Sequence, residues 1–173
     1  MNTSGHIFIQ TYHSPCGDLT LGSFGDRLCL CNWTKEKHPG RVDRRLQAYL
    51  SASYSEAPSD ITREAARQLD EYFRKERTSF DIPLLFAGSE FQNRVWAALL
   101  EIPYGRTVSY GQLAMELGMP KAVRAVANAN GANAISIFVP CHRVIGAGGS
   151  LAGYGGGLET KKILLEIEGS RCL

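Results

Sequence analysis

The sequence predicts a mixed α/β (α+β) protein: a small sheet with attendant helices over residues 1–85, then a helical unit over residues 86–173. Three observations lead there. Short β-prone runs are confined to the first third, helical stripes follow them, and two helix starts flank a tight glycine turn in the second half. At 173 residues the chain can bury a full core. Its 44% hydrophobic and 21% charged residues exclude a low-complexity or disordered class.

Ile7–Tyr12, Leu19–Phe24 and Arg27–Trp33 read as strands, separated by Pro15-Cys16-Gly17 and by the hairpin signal Gly25-Asp26. Val42, Leu46, Tyr49 and Leu50 then form one helical stripe. Ala65, Ala66, Leu69, Tyr72 and Phe73 form a stronger one, with Pro58-Ser59-Asp60 between the two. Asp81-Ile82-Pro83 and Ala87-Gly88 read as the link to the second unit.

Ser89 and Gln92 have capping-box spacing and open a helix whose apolar face is Phe91, Val95, Trp96 and Leu99; Pro103-Tyr104-Gly105 stops it. Ser109 with Gln112 repeats the box and starts a helix over 109–117. Gly118 ends that helix, and Pro120 is placed as the first residue of another over 120–130. Two short helices around a glycine turn make a helix-turn-helix candidate. In the second of them Val123, Val126 and Ala127 are expected inward. Lys121, Arg124 and Asn128 line a polar face among the small Ala122, Ala125 and Ala129. Small residues let a helix approach a phosphate backbone, although a helix without a partner would show the same pattern. Seven glycines between Gly146 and Gly157 predict a tight loop, and Leu158–Glu168 a last helix.

Several classes are excluded or disfavoured. No apolar run approaches 18 residues, so no membrane span is expected. The polar start Met1-Asn-Thr-Ser-Gly lacks a secretory pattern, and five cysteines, an odd number, suit a reducing interior. A cytoplasmic location, or a nuclear one in a eukaryote, is expected. The net charge of +2 is uninformative, but its distribution is not. Residues 1–84 balance eleven basic against eleven acidic side chains. Between Pro103 and Ala147, Arg106, Lys121, Arg124 and Arg143 face only Glu116, an excess that suits a polyanion.

The most informative stretch is Pro140-Cys141-His142-Arg143-Val144, which follows the apolar run Ile135–Val139. A thiol attacks as its thiolate, and a free cysteine with pKa about 8.5 is mostly protonated at neutral pH. A neighbouring imidazole can change that, so the pair reads as an activated nucleophile. Adjacency alone is weak evidence, since a Cys-His dipeptide is incidental in most globular proteins.

With Tyr154-Gly155-Gly156-Gly157-Leu158 and Ile102-Pro103-Tyr104-Gly105-Arg106-Thr107-Val108-Ser109-Tyr110, this stretch resembles the signature of the O6-alkylguanine-DNA alkyltransferases. These are the single-use methylated-DNA–protein-cysteine methyltransferases. The strong similarity spans residues 89–169, and the N-terminal half matches in outline as the family's small sheet domain. The resemblance implies a ribonuclease H-like N-terminal domain and a winged-helix-like C-terminal domain. It implies irreversible transfer of an alkyl group from O6-alkylguanine, and from O4-alkylthymine, to Cys141, with no cofactor. His142 would take the thiol proton through a water, oriented by Glu168. Glu168 falls one helical turn after Leu164, on a side where a carboxylate needs a partner. Tyr110 would donate to N3 of the flipped base, although at the first turn of a capped helix it could equally pack in the core. Asn133 would tie the recognition helix to the active-site loop. Val144 and Gly155, with the neighbouring Tyr154, would meet the guanine edge. Arg124 would fill the space left in the base stack. Lys121, Ala122, Asn128 and Arg143 would complete a contact with double-stranded DNA through the minor groove, by a monomer.

Some positions depart from the family pattern. Ser136 and Ala152 stand where some relatives have proline and glycine, which predicts poorer acceptance of bulky adducts. His13, Cys16, Cys29, Cys31 and His38 could suggest the N-terminal zinc site of some relatives. Cys29 and Cys31, however, fall on one side of a strand, a core pattern, and no metal is expected. Cys172 is expected to be an exposed bystander. A non-enzymatic damage binder would lack the cysteine, a regulator would carry a further domain, and a cysteine hydrolase would turn over repeatedly.

Overall fold

The computed structural model describes residues 5–170. Three antiparallel strands, β1 (Gly5–Ser14), β2 (Gly17–Phe24) and β3 (Arg27–Trp33), are joined by tight turns. Helix α1 (Arg41–Leu50) then returns the chain to β4 (Ala52–Glu56), which pairs with β1 in parallel and gives the order β3-β2-β1-β4. Helix α2 (Asp60–Phe73) covers the sheet, with Ala65, Leu69 and Tyr72 buried. Its start is a capping box from Ser59 and Thr62.

The sequence reading places the first three strands and both helices. It misses β4, whose Ala-Ser-Tyr-Ser-Glu has no clear alternation and gains its order from pairing with β1. Tyr49 was expected in the α1 stripe but is exposed at 57%, because Val42 and Leu46 already fill that face.

The second half is helical. Helix α3 (Glu90–Leu99) and α4 (Tyr110–Glu116) begin with the expected capping boxes at Ser89/Gln92 and Ser109/Gln112. Gly118, at φ 73°, turns the chain out of α4. Helix α5 (Val123–Gly131) starts three residues later than expected: Pro120 and Lys121 form a turn and Ala122 is the N-cap. Val123, expected inward, is 38% exposed, whereas Val126 is fully buried and Ala129 leaves the polar face for the core. Strands β5 (Val108–Ser109) and β6 (Val144–Ile145) pair in parallel, and α6 (Leu158–Ile167) closes the fold with Glu168 as its C-cap. No helix of the described residues is long and apolar enough to cross a membrane.

One contact positions the site. A sheet edge leaves unpaired backbone groups, and on β3 they are taken at one end by the linking segment and at the other by the second half of the chain. Leu28 N–H donates to Pro83 and Leu85 N–H to Leu28, at 2.8 and 2.9 Å. At the other end Cys31 N–H donates to Ala134 at 2.9 Å, and Ser136 N–H returns to Cys31 at 2.8 Å. The segment that leads to Cys141 is therefore an extension of the N-terminal sheet.

Candidate active site

The cysteine sits on a single 3-10 turn, Cys141–Arg143, reached through a tight loop. Asn133 closes that loop from both ends: its Nδ2 donates to Val139 O at 2.8 Å, and its Oδ1 accepts from Ile135 N–H at 3.0 Å. Ile137 inside the loop has φ 72°, a conformation that costs a β-branched residue roughly 1–3 kcal/mol and persists only when its surroundings impose it. Ile137 is 1% exposed, so burial imposes it here. Asn130 of α5 donates to Cys141 O at 3.4 Å, which couples the helix-turn-helix to the cysteine itself.

Cys141 is buried at 6% exposure, at the wall of a cavity of about 850 Å³. Tyr110, Asn133, Ser136, Tyr154 and Gly155 share that wall, and the exposed side of α5 enters it through Ala125 and Asn128. The Tyr110 hydroxyl donates to Ala152 O at 3.0 Å. Val144 lies behind the cysteine instead. It is fully buried, its N–H donates to Cys141 O, and its carbonyl accepts from Lys161 at 2.6 Å.

Burial raises the Cys141 pKa, and Asn133, Lys161 and Ser136 oppose the rise without cancelling it. The resting group is a thiol, not the preformed thiolate that the Cys-His pair suggests. His142 is fully buried and its pKa is lowered, first by burial; Glu168 pulls the other way. A neutral imidazole results. Its Nε2 lies 2.7 Å from Glu168 Oε2, a distance that assigns the proton to Nε2. Nδ1 is buried and has no partner among the described residues, so it is the available proton acceptor. Glu168 would be raised by burial, but His142 and Arg143 bring its pKa from 4.5 to about 2. The neutral His142 acts as a donor, and Arg143 supplies the charge.

Two family models match the chain: "6-O-methylguanine DNA methyltransferase, ribonuclease-like domain" over residues 7–86, and "6-O-methylguanine DNA methyltransferase, DNA binding domain" over residues 90–170. The chain belongs to the 6-O-methylguanine DNA methyltransferase family. A methylated-DNA–protein-cysteine methyltransferase of Mycobacterium tuberculosis is 46% identical over 166 residues, covering 95% of this chain and 94% of that one. The corresponding protein of Methanosarcina barkeri is 53% identical over 162 residues, covering 94% and 97%. The crystal structure of Mycobacterium tuberculosis OGT in complex with DNA superposes with a TM-score of 0.80 at 44% identity, covering 95% and 92%.

In this member of the 6-O-methylguanine DNA methyltransferase family, one residue expected at the DNA is elsewhere. Arg143 is 6% exposed: its Nε and Nη2 donate to the Glu168 carboxylate at 2.7 and 3.2 Å, and its Nη1 to Ile102 O at 2.6 Å. A guanidinium so committed is structural, and the basic excess read from the sequence loses that charge. Arg124, Lys121 and Asn128 are exposed and Ala122 partly so, with Lys121 and Ala122 in the turn before α5. The cavity wall recovers positive charge from the half that balances to neutrality, because Lys37, Arg41 and Arg45 line it against Glu36 alone.

Three site residues were not anticipated. Lys161 is fully buried and donates to the carbonyls of Val144, Ala152 and Gly153 at 2.6, 2.9 and 3.3 Å, which fixes the glycine loop. A lysine one turn into an amphipathic helix gives no sequence sign of burial. Trp33 Nε1 donates to the Tyr154 hydroxyl at 3.1 Å, and a Cβ on Gly156 would meet its indole at 2.7 Å, so only glycine fits there. Tyr72 donates to Glu168 at 2.7 Å across the molecule, a contact invisible to local pattern. Cys29 and Cys31 are buried in the core and Cys16 half-buried, and no cluster of three potential ligands among the described residues could hold a metal ion. Cys172 lies outside the described residues.

Proposed function

We propose that this protein repairs DNA by direct reversal, taking the alkyl group of O6-alkylguanine onto Cys141 in a single irreversible turnover. The observation that carries this reading is a thiol at the wall of a cavity of about 850 Å³, beside a neutral imidazole whose Nε2 is held by Glu168. As sulfur approaches the alkyl carbon, the thiol proton passes to His142 Nδ1 across a water. The S–C bond forms as the C–O6 bond breaks, and the electron pair of that bond stays on the departing guanine. Tyr110 exchanges its bond to Ala152 for one to guanine N3 and assists the leaving group. Both electrons of the new bond come from sulfur, so the transfer needs no cofactor. The thioether is stable, and nothing in the step regenerates the thiol.

Supporting this reading, the cavity admits a base only after it leaves the stack. Arg124, exposed on the first turn of α5, fills the space it vacates, and Ala122, Lys121 and Asn128 lie along the minor groove. Gly155 and Tyr154 meet the extruded base. A monomer suffices, since every proposed group lies on one chain. The reading divides the chain at residues 85 and 86. Mass spectrometry after mixing with an O6-methylguanine duplex tests it. One methyl group is expected on the Cys141 peptide, and none after Cys141→Ser; repeated turnover would show a hydrolase instead.

A further inference from the structure

Glu168 has a third donor that the proposed reaction does not use. The Tyr72 hydroxyl, carried by α2, donates to Oε2 at 2.7 Å, the same oxygen that accepts from His142 Nε2 at 2.7 Å. Tyr72 is 1% exposed, and Phe73, Phe80 and Tyr104 hold its ring at centroid separations of 5.2, 5.6 and 6.4 Å. Its position is therefore set by packing and not by the bond it makes. We propose that Tyr72 is a positioning residue for alkyl transfer: its hydroxyl withdraws negative charge from Glu168, so that His142 stays neutral with Nδ1 open to the Cys141 proton. The proposal rests on the reading of Cys141 as the alkyl acceptor, and it gives the N-terminal sheet domain a part in the chemistry.

The charged and titratable groups around this carboxylate come from four elements. They are Tyr72 of α2, Tyr104 after α3, His142 and Arg143 of the 3-10 turn, and Lys161 of α6, whose charge acts on His142. Burial, Arg143 and Lys161 disfavour a proton on His142, and Glu168 favours it. Burial and the Glu168 charge push the Tyr72 phenol far up, so it remains a donor throughout. Taking that donor away leaves more charge on Oε2 and strengthens the pull of Glu168 on the imidazole. His142 would then protonate at higher pH.

Single-turnover transfer from an O6-methylguanine duplex, measured across about pH 5 to 9, tests this. Tyr72→Phe is expected to move the acid limb to higher pH, with a loss of roughly threefold to tenfold along that limb which fades on the alkaline side. Site-specific replacement of Tyr72 by 3-fluorotyrosine, a stronger donor of nearly the same size, is expected to move the limb the other way. In a Glu168→Gln background neither change should move it. Superimposed limbs, or a uniform loss accompanied by a lower Tm, would overturn the proposal. Should Tyr72→Phe fail to fold, an unmoved limb in the fluorotyrosine protein overturns it alone. A wild-type protein that takes up no alkyl group would overturn the reading of Cys141, and this proposal with it.

Discussion

At Glu168 a single carboxylate satisfies three donors, from His142, Arg143 and Tyr72. Its pKa falls from 4.5 to about 2, so between those values the unfolded chain binds a proton that the folded one refuses. The stabilisation is complete above pH 4.5 and is lost as pH falls toward 2, on the order of 3 kcal/mol in all. His142 acts in the same sense but begins earlier, since its folded pKa lies below 6.5. Thermal melts should therefore show Tm falling as pH drops through 6.5 and again below 4.5, with the second fall smaller in Glu168→Gln. Ser136, which lies in the cavity wall and is 4% exposed, bears on adduct size. O6-benzylguanine DNA should react more slowly than the methyl form, and equal single-turnover rates would count against this assignment.

Among the elements, α5 combines an inward row of Val126, Ala129 and Asn130 with an outward one of Arg124, Ala125 and Asn128. Arg124→Ala should slow transfer from duplex DNA roughly tenfold or more, and by less from a single strand, where no stack needs filling. Similar losses on both substrates would remove Arg124 from its assigned place. The start of α4 was legible because a capping box is a local device: Ser109 and Gln112 need nothing beyond their own turn. The start of α5 was not, because Pro120 fits a first helical turn equally well as the turn it in fact forms before the Ala122 N-cap. Likewise β4 depends on a partner more than forty positions away, and the Tyr72 to Glu168 bond joins residues 96 apart. The pairing of His142 with Glu168, next to Cys141 in the cavity wall, was legible from motif and helical register. Arg143 was misassigned because charge in a sequence does not reveal burial, and the carboxylate that holds it lies 25 residues on.

For the molecule as a whole, the two halves are not independent. One end of the free edge of β3 is finished by the segment that leads to the cysteine, and the Glu168 network by α2. The sequence separates a sheet half from a helical half, but it cannot show that each completes the other. Trp33, 4% exposed, touches Gly156 and hydrogen-bonds Tyr154, a residue of the cavity wall, so its excited-state surroundings depend on what the cavity holds. Intrinsic emission should change with alkyl uptake at the rate of the mass gain, and that change should vanish in Trp33→Phe. The indole is then a built-in optical clock, which times the reaction without a dye.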